Sequence, residues 1–314
     1  MPEPGSVRVA FLGSGALGIP TLETLHRAGM VGVVVSQPDR PAGRGRQLTP
    51  TPVSEWAVRH GVPLVQTADA NTGEAFEAVR GCGGPLVVVA FGQKLGPGLL
   101  EGRASVNLHP SALPKWRGAA PIQRAMLAGE ETIGVCAIAV AERMDAGDIL
   151  GSFTTQAGDA ETAGEVLDRV AVEAAPMMQR VVLELSRGQA TGRPQDDGLA
   201  SRAAKLSKSD AWVDLREPAR GVRLRINGLQ PWPGCLAKVD GREVRLLRAA
   251  SAAGQGVPGT VLPDLAVACG DGAVMPVEVQ SPGGRPMPWA EWLRGQRLGA
   301  GARLESFPGQ GETA

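Results

Sequence analysis

The residues best suited to chemistry lie near the middle of the chain, where Asn107 and His109 alternate with apolar neighbours. The chain has only three histidines in 314 residues. In an extended strand successive side chains point to opposite faces, so Asn107 and His109 project together, and Pro110 then ends the strand. An amide beside an imidazole can polarise a carbonyl and stabilise an oxyanion. This stretch is therefore the first candidate for catalysis, with a purely structural histidine as the alternative.

A second polar cluster follows a later strand and contains Asp145 and Asp148 around Gly147. Two acids with a glycine between them normally form a turn. Asp145 could instead orient an imidazole and stabilise its charged form. His109, Asp145 and Asp148 could also be read as metal ligands. With one histidine and no cysteine nearby, a metal site is the weaker interpretation.

The elements that must position these residues alternate between strand and helix. We predict strands over residues 7–12, 31–35, 62–65, 86–90, 104–108 and 134–140. We predict helices from the glycine turn to about residue 28, over 54–60, and as one helix or a pair over 162–187. Strands that alternate with helices indicate an α/β fold with a parallel sheet covered on both faces.

The signals change after a Gly-, Gln-, Pro- and Asp-rich stretch at residues 188–201, which we interpret as a linker. Asp-Gly within residues 236–246 is a strong hairpin signal, and residues 267–279 repeat the pattern around Gly270-Asp271-Gly272. Short strands separated by turns predict a small barrel. The expected domains are residues 1–188 and 206–314, joined by a linker at 189–205.

Composition narrows the class of protein. Formal net charge is zero, but residues 201–250 hold eleven Lys and Arg against five Asp and Glu, a net charge of +6. Basic zones are typical of phosphate binding, with a solvated surface as the alternative. The four cysteines are too sparse for a disulfide framework, so we expect reduced thiols. Residues 1–8 lack a basic stretch followed by an apolar core, and no apolar run reaches about 18 residues, so we expect a cytoplasmic protein without a leader or membrane segment.

Two further motifs lie in the amino-terminal half. Gly13-Ser14-Gly15-Ala16-Leu17-Gly18 has the spacing of a dinucleotide fingerprint, and Asp39 could be its ribose-binding acid. However, Ser36-Gln37-Pro38 intervene between the strand and Asp39, so an NAD-dependent oxidoreductase is the runner-up. Next, Arg40, Arg44 and Arg46 lie in a Gly- and Pro-rich loop that is suited to phosphate contact, the alternative being a solvent-exposed loop.

Several of these segments resemble the methionyl-tRNA formyltransferase family of folate-dependent enzymes. The matching runs are residues 37–45, 107–114, 116–124, 144–148, 204–208 and 231–234. The Asn-x-His pair with its downstream Asp is shared by folate-dependent formyltransferases. The Trp-Arg-Gly-Ala-Ala-Pro-Ile-Gln-Arg run and the arginine-rich loop narrow the resemblance to the tRNA enzymes.

The resemblance implies a Rossmann-like, mostly parallel doubly wound sheet followed by a small OB-like barrel. It implies formyl transfer from 10-formyltetrahydrofolate to the α-amino group of methionine on initiator methionyl-tRNA, or to another amine, without a metal. A monomer is expected. The catalytic set carried over is Asn107, His109 and Asp145. The folate-lining residues carried over are Val89, Phe91, Gly92, Ser111, Ala112, Leu113 and Pro114. The tRNA-binding residues expected are Arg40, Arg44, Arg46, Lys205 and Lys208.

Overall fold

The computed structural model describes residues 7–42 and 47–306. The described residues form two compact units. The first comprises the residues up to Arg117 together with Gly134–Thr155 and Leu167–Arg202. The second comprises Gly118–Ile133, Gln156–Val166 and the residues from Ala203 onward. The domain boundaries at residues 188 and 206 stay a proposal.

Strands and helices alternate along the chain. The strands are β1 Val9–Gly13, β2 Val31–Ser36, β3 Arg40–Ala42, β4 Gln47–Thr49, β5 Leu64–Gln66, β6 Leu86–Val89, β7 Ser105–His109, β8 Arg117–Gly118, β9 Thr132–Ile138, β10 Ile149–Gln156, β11 Arg202–Ala203, β12 Cys235–Val239, β13 Arg242–Ala252, β14 Val267–Ala268, β15 Ala273–Gln280, β16 Pro286–Pro288 and β17 Leu304–Glu305. The helices are α1 Ile19–Arg27, α2 Pro52–Arg59, α3 Gly73–Gly81, α4 Pro97–Leu100, α5 Pro121–Leu127, α6 Ala163–Ser186, α7 Ala219–Gly228 and α8 Trp289–Gln296.

A seven-stranded sheet, in the order β10-β9-β7-β6-β1-β2-β5, forms the centre of the first unit. The pairs β1–β2, β1–β6, β2–β5 and β6–β7 are parallel, whereas β9 runs antiparallel to β7. Every residue of β1 and β6 is buried, as expected of parallel strands with covered faces. The predicted mostly parallel α/β sheet is confirmed.

The second unit contains a six-stranded antiparallel sheet in which β14-β15-β13-β12-β17 are neighbours and β16 pairs with β15. Bridges between Thr260 and Arg303 and between Val261 and Val267 join its two ends, so that the sheet forms a nearly closed barrel. Residues of β12 alternate strictly between buried and exposed, which places one face against the barrel core. Both hairpins predicted from the Gly-Asp and Asp-Gly turns are present.

Local chemistry explains where two helices begin. Thr51 accepts the backbone N–H of Ser54, and Pro52 occupies the first position of α2. Ahead of α6, Thr162 and Glu165 exchange side-chain and backbone hydrogen bonds in a capping box. The segment expected to be one helix or a pair is a single helix, although it contains Pro176. All four cysteines are free thiols, as predicted.

Candidate active site

Strand β7 carries the Asn107 and His109 pair at the carboxyl end of the sheet's parallel strands. It lies between β6, where Val88 is opposite Asn107, and β9, where Cys136 is opposite His109. Two-residue spacing puts both side chains on one face of the sheet. His109 is 5% exposed, whereas Asn107 is half-buried. The Asn107 side chain is therefore accessible to solvent at the edge of the site, whereas the His109 ring is enclosed by protein.

Both nitrogens of the His109 ring face acceptors. Nε2 lies 2.9 Å from the backbone oxygen of Trp116, and Nδ1 lies 3.6 Å from Oδ1 of Asp145. A carbonyl oxygen only accepts, so Nε2 donates its hydrogen to Trp116. The Nδ1 edge is then left for chemistry, with a carboxylate beside it. Asn107, His109 and Asp145 remain a predicted catalytic set, and the fold brings His109 and Asp145 together as that prediction requires.

Asp145 reaches His109 because the loop that joins β9 to β10 has an unusual backbone. Asp145 has φ +53, a left-handed conformation that costs energy for residues other than glycine. Two residues on, a Cβ at Gly147 would lie 1.9 Å from the backbone oxygen of Ala139. The N–H of Ala139 also donates to the backbone oxygen of Asp148 at 2.9 Å. Only glycine at position 147 permits this close return of the chain.

The segment interpreted as a linker, residues 188–201, forms long-range hydrogen bonds that the sequence did not predict. Arg193 exchanges two backbone hydrogen bonds with Ile149, and Gln195 bonds the Asp145 loop. Arg117 has a side chain only 13% exposed and pairs with Asp197 at 2.8 Å. Arg143 pairs with the same carboxylate, and both arginines hold the pKa of Asp197 below its ordinary value. A polar, Gly- and Pro-rich composition does not predict such long-range hydrogen bonds and ion pairs.

The seven predicted folate-lining residues lie at or just after the carboxyl ends of adjacent strands β6 and β7. Val89, Phe91 and Leu113 are buried in the core, and the Ser111 hydroxyl donates to the backbone oxygen of Lys115 at 2.8 Å. Gly92 and Ala112 are exposed, and Pro114 is half-buried. A ligand at this edge would therefore meet mainly backbone atoms. The peptide bond between Leu113 and Pro114 is cis.

In the glycine-rich turn after β1, the backbone N–H groups that would bind the phosphates of a dinucleotide already donate within the protein. The N–H groups of Ser14 and Gly15 both donate to the backbone oxygen of Ala90, at 3.2 and 3.3 Å. A Cβ at Gly13 would lie 2.9 Å from the backbone oxygen of Val89. Asp39 lies beyond the end of β2 and accepts from Gln66 at 2.6 Å. The glycines serve close packing between β1 and β6.

The residues predicted to bind tRNA are only partly described. Arg40 is exposed and donates to the side chain of Gln37, whereas Arg44 and Arg46 lie outside the described residues. Strand β3 lies within the stretch predicted as a loop and pairs antiparallel with β4, which follows that stretch. In the second unit Lys205 and Lys208 are both exposed.

The net charge of +6 in residues 201–250 is partly offset by ion pairs with Glu131, Asp159 and Glu165 of the second unit. Arg223, whose side chain is 5% exposed, pairs with Glu131 and with Asp159. Arg248 pairs with Glu165 at 2.5 Å, and this hydrogen bond is the main cause that lowers the pKa of Glu165 to about 2. Summed charge along the sequence therefore overstates the positive charge that this segment presents to a partner.

Neither a metal-binding cluster nor a membrane-spanning helix is present among the described residues. Residues 7–42 and 47–306 contain no group of three or more His, Cys, Asp and Glu side chains that could hold a metal ion. In the same part of the chain, no helix is both long and apolar enough to cross a membrane.

Comparison with known proteins first defines the class. A family model described as formyl transferase matches residues 7–182, more than half of the chain. A second model, described as the C-terminal domain of formyl transferase, matches residues 205–297. The Asn107 and His109 pair and the Asp145 loop fall within the first match. The sheet and the barrel thus correspond to the two parts of a formyltransferase.

A full-length relative then defines the family. Methionyl-tRNA formyltransferase of Cereibacter sphaeroides is 40% identical over 303 residues, which span 96% of this chain and 100% of that protein. The chain belongs to the methionyl-tRNA formyltransferase family and is an enzyme of that class.

Solved structures agree on the fold. Methionyl-tRNA formyltransferase from Clostridium thermocellum has a TM-score of 0.55 and 15% identity, over 78% of this chain and 94% of that one. HypX from Aquifex aeolicus in complex with tetrahydrofolic acid has a TM-score of 0.61 and 21% identity, over 91% of this chain and 46% of HypX. This chain therefore spans about half the length of HypX.

Proposed function

We propose that this enzyme transfers the formyl group of 10-formyltetrahydrofolate to the α-amino group of methionine on initiator methionyl-tRNA. The observation that carries the proposal is the placement of Nδ1 of His109 opposite Asp145, on the same face of β7 as Asn107. Family membership supports the choice of reaction, and the tetrahydrofolate-bound HypX structure supports a folate as the donor.

The reaction forms one bond and breaks one. The methionine amine attacks the formyl carbon, and the carbonyl oxygen takes up negative charge in a tetrahedral intermediate. The Asn107 amide donates one hydrogen bond to this oxygen, and Nδ1–H of His109 donates a second. Each such donor is worth ~2.7–4 kcal/mol in acyl transfer. Collapse of the intermediate breaks the bond between carbon and folate N10.

Two protons must move for the reaction to balance. The attacking amine loses a proton, and N10 of the folate gains one as it leaves. Asp145 is placed to stabilise a positively charged His109, and its carboxylate accepts the proton that the amine loses, directly or through an ordered water. His109 supplies the proton to N10 through Nδ1, because Nε2 is bonded to the Trp116 carbonyl.

The arginine-rich stretch and the basic residues of the barrel are proposed to meet the tRNA backbone. Arg40 is exposed at one edge of the first unit, and Lys205 and Lys208 are exposed in the second. Guanidinium groups bind phosphate through paired hydrogen bonds, and ammonium groups act as point charges.

The test is a formylation assay with 10-formyltetrahydrofolate and charged initiator tRNA. Asn107→Ala and His109→Ala should each lower turnover by about 10²–10³ while far-UV circular dichroism stays native. His60→Ala is the matched control, since His60 is exposed and stacks on Trp56 in α2. Near-normal formylation by both site variants would contradict the proposal. An aminated nucleotide sugar, offered as a competing acceptor, distinguishes another amine substrate.

A further inference from the structure

We propose that Gln195, assisted by Ser201, is a positioning residue that fixes the two groups flanking the His109 ring. The inference rests on the proposed function, because it assigns these residues to the formyl-transfer site. Both lie in the stretch between α6 and β11, which the sequence marks only as a linker.

The Gln195 side chain uses its whole amide. Its Nε2 donates to the backbone oxygens of Asp145 at 2.9 Å and of Gly147 at 2.7 Å. Its Oε1 accepts from Nε and Nη2 of Arg117 at 3.0 and 2.7 Å. An amide has two N–H donors and one carbonyl oxygen with two lone pairs, so its hydrogen-bonding capacity is filled.

These bonds join the two chain segments on either side of His109. Asp145 faces Nδ1, and Arg117 directly follows Trp116, whose carbonyl accepts from Nε2. Gln195 therefore links the backbone of Asp145, on the Nδ1 side of the ring, to Arg117, which neighbours Trp116 on the Nε2 side.

Ser201 holds Trp116 from a second direction. Its hydroxyl oxygen accepts the N–H of Trp116 at 3.0 Å, and its backbone oxygen accepts the N–H of Arg117 at 2.9 Å. The N–H of Arg117 shares a peptide plane with the Trp116 carbonyl, and the N–H of Trp116 belongs to the preceding plane. The two bonds together therefore fix the backbone angles of Trp116 and the direction of its carbonyl.

Both flanking residues need such support because of their backbone. Asp145 has φ +53 and Trp116 has φ +63, and neither is a glycine. A left-handed conformation at such residues costs ~1–3 kcal/mol and persists where surrounding contacts determine it. Gln195 bonds the carbonyl of Asp145 and Ser201 bonds the N–H of Trp116, so each contact acts on the unfavourable residue itself.

Substitution of Gln195 by glutamate distinguishes the role of its amide donors from that of its acceptor oxygen. Gln195→Glu keeps acceptors for Arg117 but removes both donors to the Asp145 loop. Displacing a reacting group by 1 Å can cost about 10²-fold, so we expect kcat to fall by about 10–100-fold with KM for both substrates unchanged. Ser201→Ala should lower kcat in the same way, and Ser201→Thr, which keeps a hydroxyl, should restore it.

A matched control distinguishes positioning from a general loss of stability. Gln280→Leu removes a side-chain amide that donates to the backbone oxygen of Gly284 in the second unit. It should leave kcat unchanged. If Gln195→Glu lowers only the melting temperature and keeps wild-type kcat, the inference is wrong.

A second readout does not depend on catalysis. With three histidines in the chain, ring-nitrogen NMR signals are assigned by single substitutions. In Gln195→Glu the His109 signals should move, while those of His26 and His60 stay. Unmoved His109 signals would overturn the inference even if formylation fails. A wild-type enzyme that does not formylate methionyl-tRNA would instead contradict the proposed function.

Discussion

Oδ1 of Asp145 lies 3.6 Å from Nδ1 of His109, and the two side chains are 12% and 6% exposed. The gap is slightly wider than a hydrogen bond but close enough for strong electrostatic interaction away from bulk water. The opposite ring nitrogen is already bonded to Trp116. A substrate atom that approaches His109 must therefore come to the edge that Asp145 also faces.

The charge of Asp145 should matter more than its shape. Asp145→Asn keeps the size of the side chain and removes the negative charge beside the imidazole. Two unit charges about 4 Å apart interact by roughly 1–4 kcal/mol at the dielectric constants of water and of a protein surface, so kcat should fall by about 10–100-fold. Asp148→Asn, at an exposed position of the same loop, is the control and should formylate normally. Equal activities of the two variants would remove Asp145 from the catalytic set.

The close return of the chain at Gly147 should be essential for activity. In Gly147→Ala the new Cβ would collide with the Ala139 carbonyl, and the loop that carries Asp145 must shift. We expect a loss of ~1–3 kcal/mol in unfolding free energy from urea titrations, and a fall in kcat of up to about 10²-fold.

The control for this prediction is a glycine in open space. Gly295 lies within α8, and a Cβ there meets nothing within 4 Å. Gly295→Ala should raise the free energy of unfolding by ~0.5–1 kcal/mol and leave kcat unchanged. A Gly147→Ala enzyme as active and as stable as Gly295→Ala would show that the loop tolerates the side chain.

Acid sensitivity of the second unit should depend on the pair between Glu165 and Arg248. The hydrogen bond from Arg248 lowers the pKa of Glu165 from 4.5 to about 2 in the folded chain. The unfolded chain therefore takes up a proton first as pH falls, and the stabilisation present above pH 4.5 is lost between there and about pH 2. Arg248→Met should flatten this part of the pH dependence, measured by urea titrations from pH 7 to pH 3.

A second cation serves as its control. Lys238 lies 3.9 Å from Glu243, and both side chains are more than half exposed. Exposed pairs contribute little, so Lys238→Met should leave the pH dependence as in the wild type. Parallel curves for Arg248→Met and the wild type would contradict the role given to the Glu165 pair.

Binding of initiator tRNA should be sensitive to salt. Each phosphate contact contributes a slope of about −0.7 to −0.9 in a plot of log affinity against log salt concentration. Replacing Arg40, Arg44 and Arg46 together by alanine should reduce the slope by about 2–3 and weaken tRNA binding, while folate binding is retained. Arg59→Ala is the control, since Arg59 is exposed and pairs with Glu55 on α2. An unchanged slope in the triple variant would place the tRNA elsewhere.

Hydrophobic patterning predicted much of the fold because a strand that is buried on both faces has a continuous run of apolar residues. Continuous apolar runs such as β6 cannot face water on either side, so they indicate a covered parallel sheet. The Asp240-Gly241 turn likewise predicted the β12–β13 hairpin, because its backbone angles select those residues. The predicted ends of strands and helices in the first unit differed from the observed ends by at most two residues, since capping and pairing decide them.

The sequence by itself determined the α/β sheet, the barrel and the shared face of Asn107 and His109, since each follows from local periodicity. The 3.6 Å approach of Asp145 to His109 was decided by tertiary structure, through the close chain return at Gly147. Tertiary structure alone also assigned Gln195 to the site. Its hydrogen bonds link residues that are far apart in the chain. The composition of a polar segment does not predict which distant backbone groups its side chains will bind.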